Sequence, residues 1–115
     1  MKTEKQLQIR YSIFESLADL PAEAQTLMAE AVAARHNAYA PYSKFKVGAA
    51  VLVGNGKIFI GSNQENAAFP TGLCAERVAI YQASTQCPDE VIKMIAISGT
   101  AEDPTGQPVS PCGAC

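Results

Sequence analysis

Residues 45–62 read FKVGAAVLVGNGKIFIGS. An apolar run from Phe45 to Val53 meets Gly54-Asn55-Gly56, and a second run returns from Lys57 to about Ser62. Asn-Gly between two β-prone runs is a strong local signal for a tight hairpin, so two antiparallel strands are predicted here. Upstream, Pro21 to about Asn37 is rich in Ala, Glu and Leu and predicts a helix. Pro21 takes a favoured first position, Asp19 is a nearby cap candidate, and the apolar face runs through Ala24, Leu27, Met28, Ala31 and Ala34. Ala40-Pro41-Tyr42-Ser43 ends it. Earlier still, Leu7, Ile9, Tyr11 and Ile13 alternate, which suits a short strand or an extended arm.

Downstream, Asn63 to Leu73 reads as a loop holding Pro70 and Gly72. Cys74 to about Gln86 predicts a helix that stops before Cys87-Pro88. VIKMIAIS, from Val91 to Ser98, is an apolar run of β-branched type and predicts a buried strand. A Gly- and Pro-rich loop then leads to Pro111-Cys112-Gly113-Ala114-Cys115. The order helix, hairpin, helix, strand predicts the α/β class, with a mixed sheet covered by helices. The division is an N-terminal arm, residues 1–20, and one domain, residues 21–115.

The 115 residues are 48% hydrophobic and 17% charged, with a formal net charge of -2. Binding to polymeric DNA or RNA needs clustered Lys and Arg to neutralise phosphates, and the nine basic residues here are scattered. No stretch approaches the roughly 20 apolar residues of a membrane span, and Met1 to Arg10 lacks the apolar core of a secretory signal. A cytoplasmic location is expected. In that compartment thiols stay reduced, so the four cysteines point to metal or catalytic use before disulfides.

Cys112 and Cys115 form a two-residue-spaced pair, which alone fits a zinc half-site, a redox motif or coincidence. The preceding elements do not follow a thioredoxin-like order. Zinc takes four ligands, so a third thiolate must come from elsewhere, the fourth position staying open if the site is catalytic. Cys74 suits that need: at a helix start, free N–H groups and the helix dipole stabilise a thiolate. Glu76 lies two residues on, close to the metal without having to ligate it. Such an acid can take a proton from zinc-bound water and return it to a substrate nitrogen. Taken singly, a Cys before a helix is more often a small core residue and a first-turn Glu is usually an acid facing the dipole; together the pieces are much rarer.

Cys74-Ala75-Glu76-Arg77 with Pro111-Cys112-Gly113-Ala114-Cys115 resembles the signature of the zinc-dependent cytidine deaminases. Pro41-Tyr42-Ser43-Lys44-Phe45-Lys46-Val47-Gly48-Ala49-Ala50 resembles the family's first-strand motif, and Gly61 to Phe69 (GSNQENAAF) its ribose-binding segment. A Cys as first ligand resembles the small homotetrameric free-nucleoside enzymes of that family. The resemblance, over about residues 21–115, implies a three-layer α-β-α cytidine-deaminase-like fold. It implies one Zn2+ per subunit on Cys74, Cys112 and Cys115, and a homo-oligomer, a tetramer or dimer of dimers. The implied reaction is hydrolytic deamination of cytidine or deoxycytidine by a zinc-bound water, with Glu76 as proton shuttle. Asn63 and Glu65 would contact the ribose, Phe45 would pack on the pyrimidine, and Ala75 would offer its backbone N–H to the base carbonyl. Three thiolates make a weak Lewis acid, so helix dipoles starting at Cys74 and Cys112, with Arg77 on a ligand thiolate, would withdraw electron density.

The family pattern continues past this point with Arg-Gln, more helix and further strands, so a native chain longer than 115 residues is expected, the domain being incomplete at its C-terminus. Two rivals stand beside the cytidine reading. A blasticidin-type deaminase shares the three-cysteine site, and a structural-zinc or thiol-redox module needs no catalysis. His36, the only histidine, reads as a surface residue at a helix end, and Cys87 as an idle thiol. Tyr11, Phe14 and Tyr81 read as core or subunit contacts.

Overall fold

In the computed structural model, which describes residues 1–100, 112, 114 and 115, strand β1 (Lys46–Val53) is buried from Val47 onward. Position explains this. It lies between β2 (Ile58–Ser62) and β3 (Ile92–Thr100) and pairs antiparallel with both. A central strand covered on both faces tolerates an unbroken apolar run. The predicted hairpin joins β1 to β2, with partners from Gly48↔Ser62 to Leu52↔Ile58. Its turn is closed by the Gly56 N–H donating to Val53 O at 3.0 Å and by Asn55 Oδ1 accepting from the Lys57 N–H at 3.0 Å. Gly56 carries the positive φ of 90° that the turn requires. All ladders among the described strands are antiparallel; parallel pairing occurs there only as the isolated Tyr39–Gln64 bridge.

The helices cover opposite faces. Helix α1 (Ala22–Ala34) places Leu27 and Ala31 against Ala50, Leu52 and Ala96. Helix α2 (Ala75–Gln86) places Ala75, Ala79 and Ala83, spaced by four, against Val47, Ala49, Val51, Val53 and Phe59. This is the three-layer α-β-α arrangement. Small residues let both helices sit close, and two glycines let them sit closer. A Cβ on Gly48 would lie 2.0 Å from Ala31 O, and one on Gly61 would lie 2.5 Å from Ala75 O. Both obstacles are backbone, so neither can swing aside. Gly48→Ala is expected to lower stability by about 3 kcal/mol, the upper part of the usual overpacking range. Urea unfolding checks this; an unchanged midpoint would mean that α1 is not seated on β1 as described.

Three expectations are corrected. Val91–Ser98 is not a buried strand: β3 starts at Ile92, and Val91 and Ile95 are 73% and 41% exposed. Among the described residues, helix α2 lies mainly over β2 and β1, and on the β3 side of that face Ile97 packs against its cluster while Ile95 stays exposed. Asp19 does not cap α1. Ser16 caps a short 3-10 turn over Leu17–Asp19, and the start of α1 is tied by the Gln25 amide donating to Ala18 O and Leu20 O. Of the two readings given to Tyr11, Phe14 and Tyr81, core does not hold, each being exposed, and exposure does not bear against subunit contact. Leu7, Ile9, Tyr11 and Ile13 form an exposed arm, without strand pairing among the described residues. No helix among the described residues is long and apolar enough to cross a membrane.

Candidate metal centre

The predicted loop after β2 is more ordered than its composition suggests. Gln64 bridges Tyr39 on one side and Leu73 on the other. The Gln64 N–H donates to Leu73 O and the Leu73 N–H donates to Gln64 O, at 2.9 and 2.8 Å. This doubled bridge carries the chain back from the end of β2 to the start of α2. Between them opens a cleft of about 600 Å³, within the usual range for a small-molecule site.

Cys74 stands at the N-cap of α2 with extended backbone (φ -72°, ψ 151°), and its side chain makes no capping bond. The sulfur is therefore free to face outward at the positive end of the helix dipole. Cys112 and Cys115 are tied by a turn bond, the Cys115 N–H donating to Cys112 O at 3.0 Å. No helix starting at Cys112 is seen among the described residues, so the expected second dipole is not in view. The three sulfurs converge all the same: Cys74–Cys112 is 3.6 Å, Cys112–Cys115 is 3.2 Å, and all three lie within 4.8 Å of one another. Zinc–sulfur bonds of about 2.3 Å at tetrahedral angles place sulfurs about 3.8 Å apart. The cluster fits that ion with little movement. Cys87 and His36 take no part in it.

Cys112 and Cys115, this close, share a proton instead of ionising independently. The bond shared with Cys115 lowers Cys112 to about 7. Partial desolvation, followed by that same bond, pushes Cys115 up to about 12. Arg77 Nη2 donates to Cys74 Sγ at 3.7 Å and to Gly72 O at 3.4 Å. The sulfur contact holds the guanidinium above its ordinary pKa. The guanidinium thus lies against the Cys74 sulfur.

Glu76 is only 6% exposed and lines the cleft beside the sulfurs. A hydrogen bond with Glu76 is among the effects that raise Cys115. Ala75 is fully buried at the first position of α2, where a backbone N–H has no partner within the helix.

Phe45, Asn63 and Glu65 line the same cleft. Asn63 Oδ1 accepts from the Val47 N–H at 2.8 Å, and its Nδ2 donates to Phe45 O at 2.9 Å. The amide thereby continues the β1–β2 ladder with a side chain. Glu65 Oε1 accepts from the Tyr42 and Ser43 N–H groups at 3.0 and 3.1 Å, and Oε2 accepts from the Ser43 hydroxyl. These donors, the Ser43 hydroxyl foremost, hold the Glu65 carboxyl below its usual range. Sequence reasoning missed Ser43 and the turn around it, where Lys44 adopts φ 58°. A Gly or Asn at 44 would have flagged that left-handed position; a lysine does not.

Residues 21–115 match the model of the "cytidine and deoxycytidylate deaminase zinc-binding region". The chain is 42% identical over 91 residues to the cytidine deaminase of Halalkalibacterium halodurans, covering 79% of this chain and 65% of that protein. It is 46% identical over 93 residues to the cytidine deaminase of Sporosarcina psychrophila, covering 81% of this chain and 65% of that protein. The crystal structure of cytidine deaminase from Burkholderia pseudomallei superposes with a TM-score of 0.68 at 42% identity, over 78% of this chain and 68% of that one. The chain thus spans about 65% of the length of these two curated relatives. With three sulfurs gathered at the start of α2, a buried carboxyl beside them and these likenesses over the same residues, the chain belongs to the cytidine and deoxycytidylate deaminase family.

Proposed function

We propose that this chain carries the active site for hydrolytic deamination of cytidine and deoxycytidine, yielding uridine or deoxyuridine and ammonia. The observation that carries the reading is the three-sulfur cluster beside the buried Glu76, at one end of a cleft that could take a nucleoside. Cys74, Cys112 and Cys115 would hold one Zn2+, which when bound supplies a Lewis acid that makes water a competent nucleophile near neutral pH. Glu76 accepts the proton lost by the attacking water and delivers it to ring N3 as the C4–O bond forms. It then takes the proton of the new C4 hydroxyl and passes it to the amine, so that C4=O forms as the C4–N bond breaks and ammonia leaves. Arg77 draws charge from the Cys74 thiolate, which offsets the electron-rich character of a three-sulfur site.

Phe45 packs against the pyrimidine, the Ala75 N–H receives the base carbonyl, and Asn63 and Glu65 face the sugar. Reduced thiols are needed for zinc, which suits a cytoplasmic setting. Exposed apolar groups such as Tyr42, Phe69 and Tyr81 provide surface that a homotetramer would cover.

The test is to measure zinc content and follow loss of cytidine and deoxycytidine alongside blasticidin. Near-stoichiometric zinc with uridine and deoxyuridine formation is expected. Turnover of blasticidin alone would move the chain to that related activity, and zinc without turnover of any of the three would leave a structural module.

A further inference from the structure

Ser43 sits between two walls of the cleft, and nothing in the deamination chemistry itself calls for a hydroxyl there. Its Oγ donates to Glu65 Oε2 and accepts from the Phe45 N–H at 3.0 Å, while its own N–H donates to Glu65 Oε1 at 3.1 Å. The hydroxyl therefore links the carboxylate facing the sugar to the backbone of the ring facing the base. A carboxylate has about four acceptor sites, and three are filled by Tyr42 and Ser43. The fourth, on Oε2, is left for substrate. Lys44 accepts the left-handed φ of 58°, and its N–H donates to Ala40 O at 3.1 Å, which closes the turn presenting Ser43. Backbone strain held beside a site is often tied to its geometry.

We propose that Ser43 is a positioning residue for substrate binding: its hydroxyl, itself oriented by the Phe45 N–H, aims the one free acceptor site of Glu65 at the 2′- or 3′-hydroxyl of the sugar. This rests on the nucleoside reading above. The donors around Glu65 keep it ionised, and hence a pure acceptor that favours a hydroxyl over an anionic sugar substituent.

The experiment compares zinc-loaded wild type, Ser43→Ala and Ser43→Thr with cytidine and with 2′,3′-dideoxycytidine. Ser43→Ala is expected to raise KM for cytidine about tenfold, as loss of a hydrogen bond to a charged group would, with kcat within about twofold. For the dideoxy nucleoside, which keeps its 5′-hydroxyl but lacks the 2′- and 3′-hydroxyls that Glu65 would meet, the same substitution should change KM less than about threefold. Ser43→Thr keeps the hydroxyl and should restore most of the cytidine KM. Ser43 is exposed, so thermal unfolding should show that Ser43→Ala remains folded. Equal losses on both nucleosides, a loss confined to kcat, no change on either, or an unfolded variant would overturn the positioning role while leaving the deaminase reading intact. A wild-type protein that deaminates neither nucleoside removes that reading, and this proposal with it.

Discussion

Glu76→Gln is expected to retain one zinc per chain and to lose about 10²- to 10⁴-fold in kcat for cytidine, the usual worth of a positioned acid–base group. The substitution keeps the size and shape of a side chain that is only 6% exposed, so packing at the first turn of α2 should survive. The sulfurs are untouched and the metal should stay. What goes is the capacity to take a proton and give it back, because an amide at this position does neither at neutral pH. Steady-state kinetics with metal analysis on the same sample decides the matter. A variant that turns over at the wild-type rate would show that the proton moves by another route.

Cys74→Ala is expected to weaken zinc binding by more than the 10- to 100-fold typical of losing a ligand's hydrogen-bonding neighbour, and to abolish turnover with it. Two exposed thiols would remain, joined by a single turn, with the Arg77 guanidinium left without its sulfur. Competition with a coloured chelator measures the loss. Cys87→Ala is the control. That thiol packs beneath the far end of α2, away from the cluster, and its removal should leave zinc and turnover in place. Retention of tight zinc by Cys74→Ala would place the third ligand elsewhere. Because binding must displace the proton shared by Cys112 and Cys115, affinity for the metal should fall as the solution is acidified.

How far the sequence could be read depended on whether a residue's role was local. Asn55-Gly56 specifies its turn within four residues, and the hairpin followed. The alanines of α2 repeat at helical spacing, and that buried face was readable in kind. Cys74 and Glu76 sit two apart at a helix start, a local relation that put both beside the cleft. The failures were non-local. Whether Ile95 is covered depends on where α2 crosses the sheet, which its own sequence does not state. Gln25, and not Asp19, ties the start of α1, because a flexible amide reached back five to seven residues to carbonyls that no cap pattern names. Glu65 was read only as a substrate contact. That it also holds the Tyr42–Ser43 backbone, more than twenty residues away, became visible only when the chain was folded.

Gly61 has a mechanical consequence. The amino end of α2 rests main chain on main chain against β2, so no rotamer lies between the sheet and the reactive groups. Side chains can cushion a displacement by turning about a bond; a glycine seat has no such give. Cys74, Glu76 and Arg77 are therefore carried as one stiff unit, whose aim is fixed by the hairpin register and is insulated from repacking on the outer side of the helix.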